Sequence, residues 1–350
     1  MFNRIRTAKN GLFKKQKVGY KMLIALTLSV TFPVFAANLP DSEGLIQQLG
    51  IQQQDVAKLN QGDVVFFNVA ETNEKELAAG AAMYLPAAPA KIAAFIKSKG
   101  LLSIDTEVTA QGAIVQQATL DAFKGFGFKA GSDEAASFLA AKPGSQFNLS
   151  TEEFQALQAT SAAEPDAASQ AYRKILLQRW QAYRKNGLKG IATYDRGNGS
   201  EANPDGELRL ATQDSKVLAR YFPEMYKTWL NYPSALPAGA EETFFWRNRK
   251  VESRPTAILV HRVMLSNDAG ELILSRQFYT GHSYNSNQLT IACLPYLDGS
   301  LVIYTNRTFT DQVAGFGSSL KHSIGGEQAR GEMTKMLKNA RKALKLTDTF

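Results

Sequence analysis

The chain has 350 residues, 44% of them hydrophobic, with a formal net charge of +8 and a single cysteine. That length supports one large core without disulfide staples, and one cysteine excludes an intramolecular disulfide. The positive charge is concentrated: Arg4, Arg6, Lys9, Lys14, Lys15, Lys17 and Lys21 lie in a stretch that holds no acidic residue.

Met22 to Phe32 is mostly apolar and is followed by Pro33, Val34, Phe35 and Ala36. A basic region, an apolar run of about a dozen residues, and Val34 and Ala36 at −3 and −1 make a signal peptide. Cleavage is expected after Ala36, with Ala37 as the alternative, leaving a periplasmic or secreted protein. A transmembrane anchor would need ~20 apolar residues, and Pro33 interrupts the run. Apart from this segment, the basic residues nearly balance the 32 acidic ones. The basicity therefore belongs to export, and nucleic acid is not an expected partner. No second hydrophobic span follows, so no stable membrane span is expected once the segment is removed. Cys293, inside the apolar run Leu289–Leu294, reads as a buried structural thiol.

In chain order, residues 37–61 read as a short helical segment, with Leu45, Ile46, Leu49, Ile51, Val56 and Leu59 at roughly helical spacing. Strands are predicted over Gly62–Ala70 and Leu77–Leu85, then a helix over Pro86–Gly100 with prolines at its start and glycine at its end. Strand-like pieces follow at Ser103–Val115 and around Phe123–Phe128. From 132 to 232 the pattern is helical: Asp133–Ala141, Thr151–Thr160, Ala167–Asn186 and Glu207–Asn231, the last broken or kinked at Pro223. Residues 196–206 read as a loop by composition. After Ala240 the period becomes two, giving strands Glu242–Arg249, Thr256–Leu265, Leu272–Thr280, Gln288–Leu294 and Ser300–Arg307 with hairpin turns between them. A glycine-punctuated loop, Asp311–Gly326, leads to an amphipathic helix, Glu327–Leu346, with Met333, Met336, Leu337, Ala340 and Leu344 on one stripe. The organisation is thus a signal peptide (1–36), a helical segment (37–61) and one α+β domain (62–346) with a helical insertion at about 132–232.

This order of elements resembles the helix-grip fold of the START and Bet v 1-like superfamily, an antiparallel curved sheet gripping a long C-terminal helix. The resemblance implies an apolar cavity between sheet and helix. Through Phe278-Tyr-Thr-Gly-His-Ser-Tyr-Asn285 and Asn306-Arg-Thr-Phe-Thr-Asp-Gln-Val-Ala-Gly-Phe-Gly317, the C-terminal half is also similar to an uncharacterised family of exported bacterial proteins. A cavity has a physical basis of its own, since a twisted sheet burying one face against one helix cannot always fill its concavity. An ordinary packed aromatic core is the alternative.

The candidate ligand-binding residues are Tyr279, His282, Tyr284, Tyr304, Arg307, Asp311, Met333 and Met336. Arg307 either receives an anionic head or clamps the loop through Asp311, with Asn306 bonding backbone. Gly315, Gly317, Gly325 and Gly326 make either a lid or tight turns. Trp229 reads as core. His261, His282 and His322 lack the short-range spacing of a metal site, and neither metal nor cofactor is expected. Ser318-Ser-Leu-Lys321 matches S-x-x-K, but Ser283-Tyr-Asn285 stands on the wrong side of it for an acyl-transferring serine enzyme. The expected function is carriage or sensing of an apolar or lipid-like molecule. The alternative is a hydrolase- or cyclase-like enzyme using His282, Tyr284, Arg307 and Asp311 at the cavity mouth.

Overall fold

A computed structural model describes residues 42–99, 105–129, 131–144, 146–160 and 166–344; the expected signal peptide and its cleavage site lie outside them. The fold is α+β, built on a large open antiparallel sheet with a helix at its C-terminal end.

Five strands, β6 (Glu241–Val251), β7 (Arg254–Asn267), β8 (Gly270–Thr280), β9 (Ser286–Tyr296) and β10 (Gly299–Phe309), form a continuous meander. The predicted strands are all present and run up to two residues further at either end. Three earlier strands, β1 (Val65–Phe67), β2 (Glu76–Leu85) and β3 (Val108–Ile114), complete eight strands in the order β1-β2-β10-β9-β8-β7-β6-β3. The meander therefore sits between β2, on β10, and β3, on β6. At Gly112 on β3 an added Cβ would fall 2.5 Å from the Trp246 ring, so glycine is what lets the indole cross that strand.

Both faces of the sheet are covered, which corrects the expectation of one buried face and one helix. One face carries α3 (Pro89–Lys99), over β8 and β9, and α10 (Ser318–Ala343), over β2. Ala79, Ala81, Met83, Leu85, Ile273, Ile291, Cys293, Val302 and Tyr304 meet Ile92, Ile96, Met333 and Leu337 there. The other face carries α1 (Ser42–Gln48), α2 (Gln53–Asn60), α6 (Ala167–Asn186), α7 (Pro204–Gln213), α8 (Lys216–Tyr221) and α9 (Pro223–Leu230) over two cores. The shorter α4 (Asp133–Leu139) and α5 (Thr151–Gln158) extend the first of those cores. Period two explains this division: along β6, Phe244 and Trp246 point to the helical layer, while Phe245, Arg247 and Arg249 point to α3 and α10. The residues at 132–232 thus supply most of the second cover of the sheet.

Other expectations need correction. Gly62–Ala70 contributes only three strand residues. Phe123–Phe128 is not a strand: Leu120–Phe123 is a 3-10 turn, and Phe126 and Phe128 pack edge-on and stacked against Tyr172. The 196–206 loop contains a small hairpin, β4 (Tyr194–Gly197) with β5 (Ser200–Ala202). Glu207–Asn231 is three helices: it breaks at Pro223, as proline requires, and also at Asp214–Ser215. The last helix begins at Ser318, so Gly325 and Gly326 are helical and form no lid. Gly325 has a local reason, since a Cβ there would lie 2.7 Å from the Leu77 side chain on β2.

Candidate functional site

Seven of the eight expected site residues fall in four places. Tyr304, Met333 and Met336 belong to the seam under α10, where the Tyr304 hydroxyl lies 3.8 Å from the Met336 sulfur. That seam is lined by Leu85, Ile92, Phe95, Ile96, Ile291, Val302, Leu337, Ala340 and Leu344, and encloses about 40 Å³. This is room for roughly one water molecule. Tyr279 is fully buried on the opposite face, donating to the Tyr172 hydroxyl at 3.0 Å beneath the Arg179 guanidinium.

Arg307 occupies a third place, on β10 opposite Ala78 of β2. It donates to Glu76 Oε1 at 2.6 Å, to the Ala70 carbonyl and to Asp214. The expected Arg307–Asp311 clamp is therefore absent. Asp311 is held instead by Lys75 and Arg196, each at 2.9 Å. Burial alone would raise the Asp311 carboxyl, but these two cations bring it below its ordinary value. Asn306 bonds side chains, accepting from Asn287 Nδ2 and donating to Thr308 Oγ1, and not backbone.

The fourth place is a polar pocket of about 230 Å³ at the end of the sheet, lined by Asn148, Arg196, Glu252, Arg254, Ser283, Asn285, Thr310 and Asp311. The two segments that carried the sequence resemblance meet here: Asn285 N–H donates to the Phe309 carbonyl, and Thr310 Oγ1 to the Ser283 carbonyl. His282 lies behind Ser283, with Nδ1 2.7 Å from the Ser283 oxygen and Nε2 3.2 Å from the Pro255 carbonyl. Nε2 also lies 2.8 Å from Thr256 Oγ1, a hydroxyl that can either donate or accept. A serine beside an imidazole suggests nucleophilic chemistry, but burial, and then the Arg254 cation, lower His282 to about 4. Such an imidazole is a poor base, and Glu252, 2.7 Å away, competes for the same hydroxyl proton. The pocket's cations are also paired, Arg254 with Glu134 through two bonds and Arg196 with Asp311.

Of the four groups in the enzyme alternative, only Asp311 lines this pocket, with His282 behind it. Tyr284 instead bonds Gln277, and Arg247 and Arg249 act on it electrostatically. Of the other histidines, His261 is buried against Phe244 and Trp229, and His322 pairs with Glu71 on the surface. Among the described residues no group of histidine, cysteine and carboxylate side chains is arranged to hold a metal.

Sequence reasoning missed a different feature on the α3–α10 face. Register places Phe245 opposite Val260 and Thr243 opposite Arg262, so Arg247 and Arg262 flank Phe245 on one face. Their guanidinium carbons lie 4.7 and 4.8 Å from the centre of its ring. Both border a cleft of about 360 Å³ with Lys97, Ser98, Gln111 and Thr243. Alternation along Phe244–Arg249 signals two inward-pointing arginines, but only the β6–β7 register adds the third cation.

Among the described residues no helix is long and apolar enough to cross a membrane. Comparison with protein families, curated proteins and solved structures finds no match for this chain.

Proposed function

We propose that this chain is an exported binding protein of the START/Bet v 1-like kind, holding an apolar or lipid-like ligand on the sheet face beneath α3 and α10 and carrying or sensing it without chemistry. The supporting observation is how thinly α10 is attached. Of this 26-residue helix only Met333 and Leu337 are buried, and the apolar seam they close and the larger cleft at β6 and β7 are both bordered by α3. A lipid tail needs far more than the present 40 Å³, so binding requires α10 or α3 to lift, and the methionines are the side chains best able to repack around a guest. The signal-like N-terminus supports export.

Native mass spectrometry and lipid extraction of the purified chain test this, together with thermal melting in the presence of a long-chain alcohol. Co-purifying lipid, or a melting temperature that rises with alcohol concentration as mass action requires, is the expected result. A chain that carries nothing and melts identically with and without the alcohol would overturn it. The enzyme reading gains no support, because its four groups do not converge.

A further inference from the structure

Arg247 and Arg262 are 6% and 7% exposed, yet among the described residues neither forms an ion pair with a carboxylate. The acids around them are committed elsewhere: Asp105 and Glu332 bond Arg249, Glu241 bonds Lys97, and Glu107 faces Lys335. Arg247 Nε and Arg262 Nε and Nη2 are buried without a hydrogen-bond partner among the described residues. Burial, and for Arg262 the neighbouring Arg247 cation as well, depress both groups, Arg247 to about 10 and Arg262 to about 9. Two like charges withdrawn from water and laid on one aromatic ring oppose folding. Apolar residues of similar volume would serve the sheet better. Arrangements that cost stability in this way mark sites whose partner is a ligand.

We propose that Arg247 and Arg262, with Phe245 between them and the cleft in front, form a head-group site for an oxyanion, a phosphate or a carboxylate. Guanidinium groups suit this role because their planar donors match two oxygens at once. Lys97, at the rim and already paired, adds long-range attraction. The proposal rests on the reading that the α3–α10 face binds ligand, and it turns that ligand from a neutral apolar molecule into an amphiphile with an acidic head.

Calorimetric titration of the full chain with dodecyl phosphate, dodecanol and inorganic phosphate separates the possibilities. Dodecyl phosphate is expected to bind at least about tenfold more tightly than dodecanol, the scale of a charge-assisted pair. Arg262→Met and Arg247→Met should each remove most of that advantage and leave dodecanol binding unchanged. Arg262→Met should also melt no lower than the native chain, whereas an arginine retained for the fold would melt lower when replaced. Inorganic phosphate binding with the same arginine dependence would support the site and identify a free anion as its occupant. Equal binding of dodecyl phosphate and dodecanol would overturn the head-group site while leaving the apolar reading intact. If none of the three binds, both fail. Should Arg262→Met not fold, Arg262→Lys carries the comparison: a weakened preference for dodecyl phosphate supports the site, and an unchanged one overturns it.

Discussion

At the scale of single residues, the interior of this protein holds many polar groups whose state depends on burial. His261 and His282 are both pushed down to about 4, chiefly by burial. An unfolded histidine titrates near its ordinary value, so as pH falls below about 6.5 the unfolded chain takes up protons that the folded chain refuses until about pH 4. The stability these groups contribute is therefore present above pH 6.5 and lost toward pH 4, at up to about 1.4 kcal/mol per pH unit for each. Urea midpoints at pH 7.5 and 5 should show the loss, and His282→Gln should reduce it; a midpoint equal at the two values would contradict the assignment. Glu207 acts in the opposite direction. Burial raises it against the hydrogen bonds from Ser286 and Asn285. Its ionisation thus opposes folding increasingly as pH rises above the ordinary carboxylate value. Glu207→Gln keeps an acceptor for Asn285 and should gain stability over the native chain as pH rises from 4 to 7. A difference that is constant over this range would show that Glu207 ionises freely. None of these environments was legible in the sequence: His282 reads alike as a ligand and as a core residue until Thr256 and Pro255, from another strand, are placed beside it.

At the scale of elements, the meander was readable because its alternation is long and its turns are chemically marked, Asp268-Ala269 before Gly270 and Leu297-Asp298 before Gly299. The first part of α10, Ser318–Gly326, was not, because Gly325 and Gly326 are poor helix formers and read as loop. The two glycines differ in physical role. Gly325 faces Leu77, whereas Gly326 and Gly331 would meet nothing on gaining a Cβ. Gly326→Ala and Gly331→Ala should therefore each stabilise α10 by about 0.5–1 kcal/mol, read as slower amide exchange along 318–343. Gly325→Ala should give less or reverse sign, and equal effects at all three would mean that α10 does not press on β2 there. Phe123–Phe128 failed for a related reason, as alternating phenylalanine and glycine mimic a strand while the rings serve the Tyr172 cluster.

At the scale of the whole molecule, the helical residues 132–232 are as much a part of the core as the meander. They supply Phe138, Tyr172, Trp180, Tyr183, Tyr194 and Trp229, which meet Phe244, Leu259, Val263 and Phe278 of the sheet. Joining Gly131 to Pro233 should therefore give no folded protein, since most of one face of the sheet would lose its cover; size-exclusion chromatography and circular dichroism would show aggregate, and a folded monomer would restore the view of an insertion. The antiparallel meander, a buried Cys293 and a terminal amphipathic helix followed from the sequence alone, because periodicity and turn chemistry are local. The second cover of the sheet, the dispersal of Tyr279, Tyr284, Arg307 and Asp311 among separate places, and the pairing of Arg247 with Arg262 across Phe245 were decided only by the tertiary structure. Periodicity tells which residues share a face of a strand, but it does not say which strand lies alongside, or which element covers that face.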